Sequence, residues 1–187
     1  MAENRRVKMT KKMIKDAVLE LLDRHPLEKI TVTDICASAD VNRSTFYSYY
    51  EDVGQLLLEI EDDVFAQLPV SPNSPFTCSD EKFLSTLEEL FDYVQKNERL
   101  FRILILQHDN SSFNQRLVAV VMEKYRPATE SPDNSFEKYG YIYCVHGVIG
   151  IIKEWIGSGF QISAHCFAKM VLEMSARVTS GNSLFQK

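Results

Sequence analysis

Glycine and proline are scarce in this chain, seven and six among 187 residues. So few breakers leave little room for an architecture of strands and tight turns. No Asn-Gly or Asp-Gly dipeptide separates two alternating runs, so no hairpin is signalled. Cysteines are few and scattered: Cys36, Cys78, Cys144 and Cys166 form no C-x-x-C pair. His25, His108, His146 and His165 join them in no metal-ligand spacing. That argues against a metal site or disulfide framework and for reduced thiols in a cytoplasmic protein, with no cofactor expected. The longest apolar run, Ile142 to Ile152, is about half a membrane span and contains His146, so no membrane partner is expected. Polar residues follow Met1, which argues against a secretory leader. G-x-S-x-G, P-loop, G-x-G-x-x-G and H-E-x-x-H motifs are missing, and the acids are spread along solvated helix faces. An enzyme is therefore not expected.

What is present is helical periodicity. Met13, Ile14, Ala17, Val18, Leu21 and Leu22 recur at three-to-four spacing, which predicts a helix from Thr10, its cap, to His25 before Pro26. Thr31 and Asp34 make a T-x-x-D capping box for a short second helix with Ile35, Cys36 and Ala39 inside. That helix closes near Asp40-Val41, and a third restarts at Asn42 or Ser44. Glu51 to Gly54 breaks the pattern, and a fourth helix is predicted from about Gln55. Apolar stripes continue after the PVSPNSP loop at 69–75, around 80–94, 100–106, 113–125, 136–157 and 163–178. The expectation is an all-α protein of about nine helices. Its parts are an N-terminal unit over 1–54 and a helical regulatory and dimerisation unit over 55–187.

Charge is uneven. Net charge is −5, yet up to Lys15 six basic residues face Glu3 alone. The first 50 residues carry nine basic and seven acidic side chains, the other 137 carry 12 and 19. A basic end on an acidic body predicts one surface that meets an anion.

That surface is centred on NRSTFYSYY, residues 42–50. Two short helices joined by a tight turn make a helix-turn-helix, whose second helix enters the major groove. Arg43 has the geometry for a bidentate pair with guanine, and Ser44 and Thr45 reach bases or phosphates. Tyr47 and Tyr49 can offer hydroxyls to phosphates, while Phe46 and Tyr50 are expected to face inward.

Over about 50 residues the match becomes specific. ITVTDICASADVNRSTFYSYYEDVGQLL closely resembles the DNA-binding segment of TetR-family transcription regulators. The matching positions are Thr31-Val32, Ile35-Cys36, Ala39-Asp40-Val41-Asn42, Thr45-Phe46-Tyr47-Ser48-Tyr49-Tyr50 and Leu56. The resemblance implies a TetR-like fold and a homodimer on a palindromic double-stranded DNA operator. It implies DNA contacts from Thr33, Arg43, Ser44, Thr45, Tyr47, Ser48 and Tyr49, with Thr31 near phosphate. It also implies dimerisation through residues 136–178 and a small-molecule effector of unidentified chemistry. Phe91, Phe101, Leu104, His108, Tyr143, His146 and Trp155 are the candidate lining of its pocket. The implied action is repression released by the effector. The alternative is an activator, or a regulator controlled by a protein partner, with no small-molecule ligand. Two positions depart from the family pattern: Asp40 stands where a turn glycine is usual, and Val53 where a phosphate-reaching lysine is usual. The basic stretch from Arg5 to Lys15 is the expected substitute for that lysine.

Overall fold

The computed structural model describes residues 2–69, 80–107, 112–124 and 135–179. Every regular element among them is helical. The chain divides into two compact units, residues 1–67 and 68–187.

The first unit holds α1 (Ala2–Leu22), α2 (Val32–Ala39), α3 (Arg43–Tyr47) and α4 (Val53–Gln67). Helix α1 starts eight residues before the expected Thr10. Nothing from Ala2 to Met9 breaks a helix, and the Thr10 hydroxyl bonds back to the Arg6 carbonyl at 3.0 Å instead of capping. The capping box of α2 is complete: Thr31 Oγ1 accepts from the Asp34 N–H and Asp34 accepts from the Thr31 N–H. Asp40 ends α2 in the left-handed region at φ 51°, ψ 47°, the conformation the turn position requires. Ile14, Val18, Ile35, Phe46, Leu56 and Ile60 build the core of this unit. The unit ends after Gln67, later than the expected Gly54, because Glu59 and Asp63 of α4 pair with Lys11 and Lys15 of α1.

The second unit holds α5 (Asp80–Lys96), α6 (Glu98–Phe101), α7 (Ser112–Lys124), α8 (Ser135–Gly157) and α9 (Ala164–Thr179). A π-helical segment, Arg102–Gln107, continues from α6 and buries Ile103, Leu104 and Ile105. Helix α9 packs on α5 and α8, and α8 also packs on α7. Around Trp155 the aromatic rings interlock. Phe167 stacks on it at 4.3 Å, and Phe91 and Phe160 meet it edge-on at 5.8 and 4.7 Å. Gly159, at φ 77°, and Phe160, at φ 57°, turn the chain out of α8. Ser163 caps α9 as expected, its hydroxyl accepting from the Cys166 N–H at 3.3 Å.

Candidate nucleic-acid interface and apolar cavity

Helix α3 has only five residues, too few to hold itself. Its position comes from two aromatic anchors. Phe46 is fully buried and Tyr50 nearly so, with ring centroids 5.6 Å apart. Fixing these two on the core turns the intervening residues outward. Thr31, Thr33, Arg43, Ser44, Tyr47 and Ser48 are exposed, and Thr45 and Tyr49 are half-buried. The structure therefore leaves Arg43, Ser44, Tyr47 and Ser48 accessible around one short helix, with Thr45 and Tyr49 partly covered.

Local bonds set their directions. The Arg43 guanidinium lies 5.9 Å from the Tyr47 ring centroid and donates a long contact, 3.5 Å, to the Tyr47 hydroxyl. That hydroxyl favours the charged form and holds the Arg43 pKa up. Ser48 Oγ donates to the Thr45 carbonyl at 2.7 Å, which closes the last turn of α3. At the next helix start, Asp52 Oδ1 accepts from the Gln55 N–H at 2.8 Å. Thr31's hydroxyl and N–H hold the Asp34 carboxyl below its usual range, so the α2 cap is a charged one.

One residue of this arrangement escaped the sequence reading. Glu59 on α4 accepts from Lys11 and Lys15, each at 2.7 Å, and from the Tyr50 hydroxyl at 3.3 Å. It thus ties the end of the reading segment to α1 and α4 together. Burial opposes ionisation of Glu59, but the hydrogen bonds from Lys11 and Lys15 prevail and hold its carboxyl low. Burial, then the Glu59 charge, pushes the Tyr50 phenol far above its ordinary range, so it remains a neutral donor. The signal was in the sequence: Lys11 and Lys15 are spaced four apart on α1, and Glu59 and Asp63 four apart on α4. This bonding narrows the expectation that the stretch from Arg5 to Lys15 replaces the lysine missing at Val53. Lys11 and Lys15 hold carboxylates, so they do not stand free to replace the lysine missing at Val53.

The second unit holds a partly open cavity of about 270 Å³. Its wall comes from α5 (Phe83, Leu87, Phe91), the α6 region (Phe101, Ile105), α7 (Leu117, Val121), α8 (Tyr141, Val145, Val148, Ile149) and α9 (Val171, Leu172). Among the described residues, its polar side-chain atoms come only from Cys144, Ser175 and Tyr141, and no charged residue lines it. Burial pushes the Cys144 thiol up, and the Tyr141 hydroxyl is taken by the Val121 and Met122 carbonyls at 3.0 and 2.9 Å.

Of the pocket residues expected from sequence, Phe91 and Phe101 line the cavity. Leu104 is buried but lies outside the lining. Trp155 is held in the aromatic cluster, its indole N–H donating to the Ile162 carbonyl at 2.9 Å. Tyr143 and His146 are exposed, because α8 turns that face away from its own core. His108 lies outside the described residues. Helix periodicity places residues on faces, and here it did not say which face of α8 the rest of the unit covers.

An all-helical chain with a helix-turn-helix in one unit and an apolar cavity in the other has the build of a DNA-binding transcription regulator. A family model for the TetR-type transcriptional regulator C-terminal region matches residues 81–177. The chain belongs to the TetR family of transcriptional regulators. It is 28% identical over 102 residues to the HTH-type dhaKLM operon transcriptional activator DhaS of Lactococcus lactis subsp. lactis strain IL1403. That match takes in 54% of this chain and spans about half of the relative, 52%. Among solved structures, a TetR transcriptional regulator from Streptococcus agalactiae 2603V is similar with a TM-score of 0.71 at 24% identity, over 94% of this chain and 98% of that one. A dihydroxyacetone kinase operon activator DhaS is similar with a TM-score of 0.62 at 21% identity, over 91% and 96%. At such identities the structural likeness speaks for the fold. No described helix is long and apolar enough to cross a membrane.

Proposed function

We propose that this chain is a homodimeric, sequence-specific regulator of transcription in the cytoplasm, reading a palindromic operator with one helix-turn-helix per subunit. Residues 1–67 read DNA and residues 68–187 regulate and dimerise. The observation that carries the reading is the build of α3: two buried aromatics fix the helix and leave Arg43, Ser44 and Tyr47 exposed and Thr45 half-buried. Arg43 reads a guanine, Thr33, Ser44, Thr45, Ser48, Tyr47 and Tyr49 contact bases or phosphates, and the Thr31 cap lies near phosphate. Free thiols at Cys36, Cys144 and Cys166 suit a reducing compartment.

Dimerisation runs through residues 136–178. Tyr139 and Tyr143 of α8 are 65% and 67% exposed, and Met174 of α9 is 51% exposed, which is apolar surface in need of a partner. A methyl group added at Gly147 or Gly150 would meet nothing within 4 Å, so no neighbour in their own chain requires glycine there. A second copy approaching closely gives both a reason.

The cavity accommodates a neutral, apolar effector, and a molecule bound there changes DNA affinity by linkage. Release of a repressor from its operator is the action this favours. Activation is the second reading, favoured by the likeness to the Lactococcus lactis relative, whose name is that of an operon activator. The deciding experiment is fluorescence anisotropy on duplexes selected from a random pool, beside Arg43→Ala. Sequence-selective binding lost in the variant supports the reading; equal binding of every duplex by both proteins overturns it. Transcription in vitro from a promoter bearing the selected site then gives the sign.

A further inference from the structure

We propose that Glu59 is a positioning residue for sequence recognition: by holding Tyr50, the last side chain of the reading segment, it fixes the rotation of α3 without itself touching DNA. This role rests on the DNA-binding reading above and deepens it. Helix α3 and the turn after it form one hydrogen-bonded piece, because the N–H groups of Tyr49 and Tyr50 both donate to the Phe46 carbonyl, at 2.9 and 3.0 Å. Five helical residues are too few to hold an orientation by themselves. Phe46 anchors the piece by burial, and burial alone has no direction. The Tyr50 hydroxyl supplies the direction with a bond of 3.3 Å to Glu59 Oε1 on α4. Tyr50 is 2% exposed, so water offers little alternative to that bond.

The charges around Glu59 favour position over contact. A lone carboxylate beside a DNA-reading segment repels phosphate. Here Lys11 and Lys15 neutralise Glu59 and Asp63, so the four charges sum to zero and add no net attraction for a polyanion. What a carboxylate does supply is an acceptor for three donors at once: Lys11 on Oε2, Lys15 and Tyr50 on Oε1. The Lys11 ammonium held this way lies 5.2 Å from the Tyr50 ring centroid and 5.9 Å from that of Tyr49. Glu59 therefore backs both rings, one directly and both through Lys11. A turn of α3 about its axis would break the Tyr50 bond and disturb the two ring contacts together. Base edges are read by directed bonds, so Arg43, Ser44 and Thr45 need that rotation fixed, whereas phosphate contacts tolerate a small turn.

A lost phosphate contact lowers the slope of log K against log salt by about 0.9, whereas a turned reading helix lowers discrimination at constant slope. The test compares the full-length wild type with Tyr50→Phe, Glu59→Met, their double variant, Asp63→Asn and Arg43→Ala. Each is titrated by anisotropy against a selected duplex and a scrambled one at several KCl concentrations, after circular dichroism shows it folded at the assay temperature. Tyr50→Phe keeps the buried ring and loses only the hydroxyl. Its affinity for the selected duplex should fall about fivefold, with scrambled-duplex binding and the salt slope at wild-type values. Glu59→Met keeps the side chain's length without an acceptor. It also frees two lysine charges, so it is read on the ratio of the two affinities, which should fall at least as far. The double variant should lose no more of that ratio than Glu59→Met alone, because both changes remove the same bond. Asp63→Asn removes one ion pair of the same cluster and should keep the ratio. Wild-type ratios in Tyr50→Phe and Glu59→Met, beside an Arg43→Ala that loses discrimination, overturn the positioning role and leave the reading intact; Tyr50→Phe decides alone where Glu59→Met does not fold. Losses that multiply in the double variant overturn the path through Tyr50. A ratio lost equally in Asp63→Asn makes the effect one of general stability and overturns the role too. A wild type that binds both duplexes alike overturns the reading and the role together.

Discussion

At the scale of single residues, two side chains carry costs that can be measured. Asp40 holds φ 51°, which an L-residue other than glycine adopts against steric resistance. Asp40→Gly should remove that strain and raise stability by about 0.5–1 kcal/mol, read as a higher thermal midpoint. The same change removes a negative charge beside the reading helix, so operator affinity should rise and not fall. A lower midpoint would mean that the Asp40 side chain contributes more than its backbone costs. Glu59 gives a pH signature. Its carboxyl is held below the usual range in the folded chain. A group depressed on folding stabilises above its unfolded pKa, about 4.3, and loses that contribution as pH falls through the folded value. Glu59→Gln should therefore cost about 1 kcal/mol at pH 7. As pH falls through the lowered folded-state value and Glu59 takes up its proton, the difference between the two proteins should shrink. The Asp34 cap, lowered for its own reason, leaves some acid sensitivity in both. Melting curves from pH 7 to 3 check this, and a pH-independent difference would sink the assignment.

Among elements, the divide between what was readable and what was not follows the range of the interaction. The α2 cap, the turn at Asp40, the inward Phe46 and Tyr50 and the Ser163 cap are decided within a few residues, and all were legible. The start of α1 was missed because Thr10 carries a cap's chemistry but bonds to Arg6 inside the helix. The allegiance of α4 was missed because it depends on ion pairs across 48 residues. The face of α8 that meets the cavity was missed because α8 is apolar nearly all round, so its pattern does not choose a side. The π-helical turn at Arg102–Gln107 has no sequence signal that helical spacing detects; Arg102 instead caps the neighbouring helix, donating to the Ile156 carbonyl at 2.6 Å. The element that closes α8 on α9 is Trp155. Trp155→Phe keeps a stacked ring but leaves the Ile162 carbonyl without its donor, for about 1–2 kcal/mol. Trp155→Ala also opens a void and should cost about 3–5 kcal/mol. Urea unfolding followed by circular dichroism separates the two, since Trp155 is the chain's only tryptophan and its fluorescence disappears with it. Equal losses would mean that the indole bond, not the packing, does the holding.

For the whole molecule, the question is why a protein of ordinary composition keeps an apolar cavity. Contacts forgone around a void cost about 24 cal/mol per Å³ in core truncations, so 270 Å³ corresponds to an upper bound of about 6 kcal/mol. That is comparable to the entire stability of a typical domain, about 5–15 kcal/mol. An apolar molecule entering the cavity restores those contacts without having to satisfy any charge, because the lining carries none among the described residues. Val148, half-buried on α8, faces this space, and Val148→Phe should fill part of it from within. The variant should unfold at a higher temperature than wild type, by a few degrees, for a gain of about 1 kcal/mol. It should also lose affinity for a neutral apolar dye such as a naphthylamine, while anionic and cationic dyes of similar size bind neither protein. A filled cavity imitates an occupied one, so operator affinity should move in the direction in which the effector moves it. Stabilisation with dye binding unchanged would place the dye elsewhere. Destabilisation with binding lost would mean that the cavity's shape is already matched to its wall and has no room for a ring. In that case the protein-partner mode of control gains over the small-molecule one, and the exposed tyrosines of α8 become the surface to test.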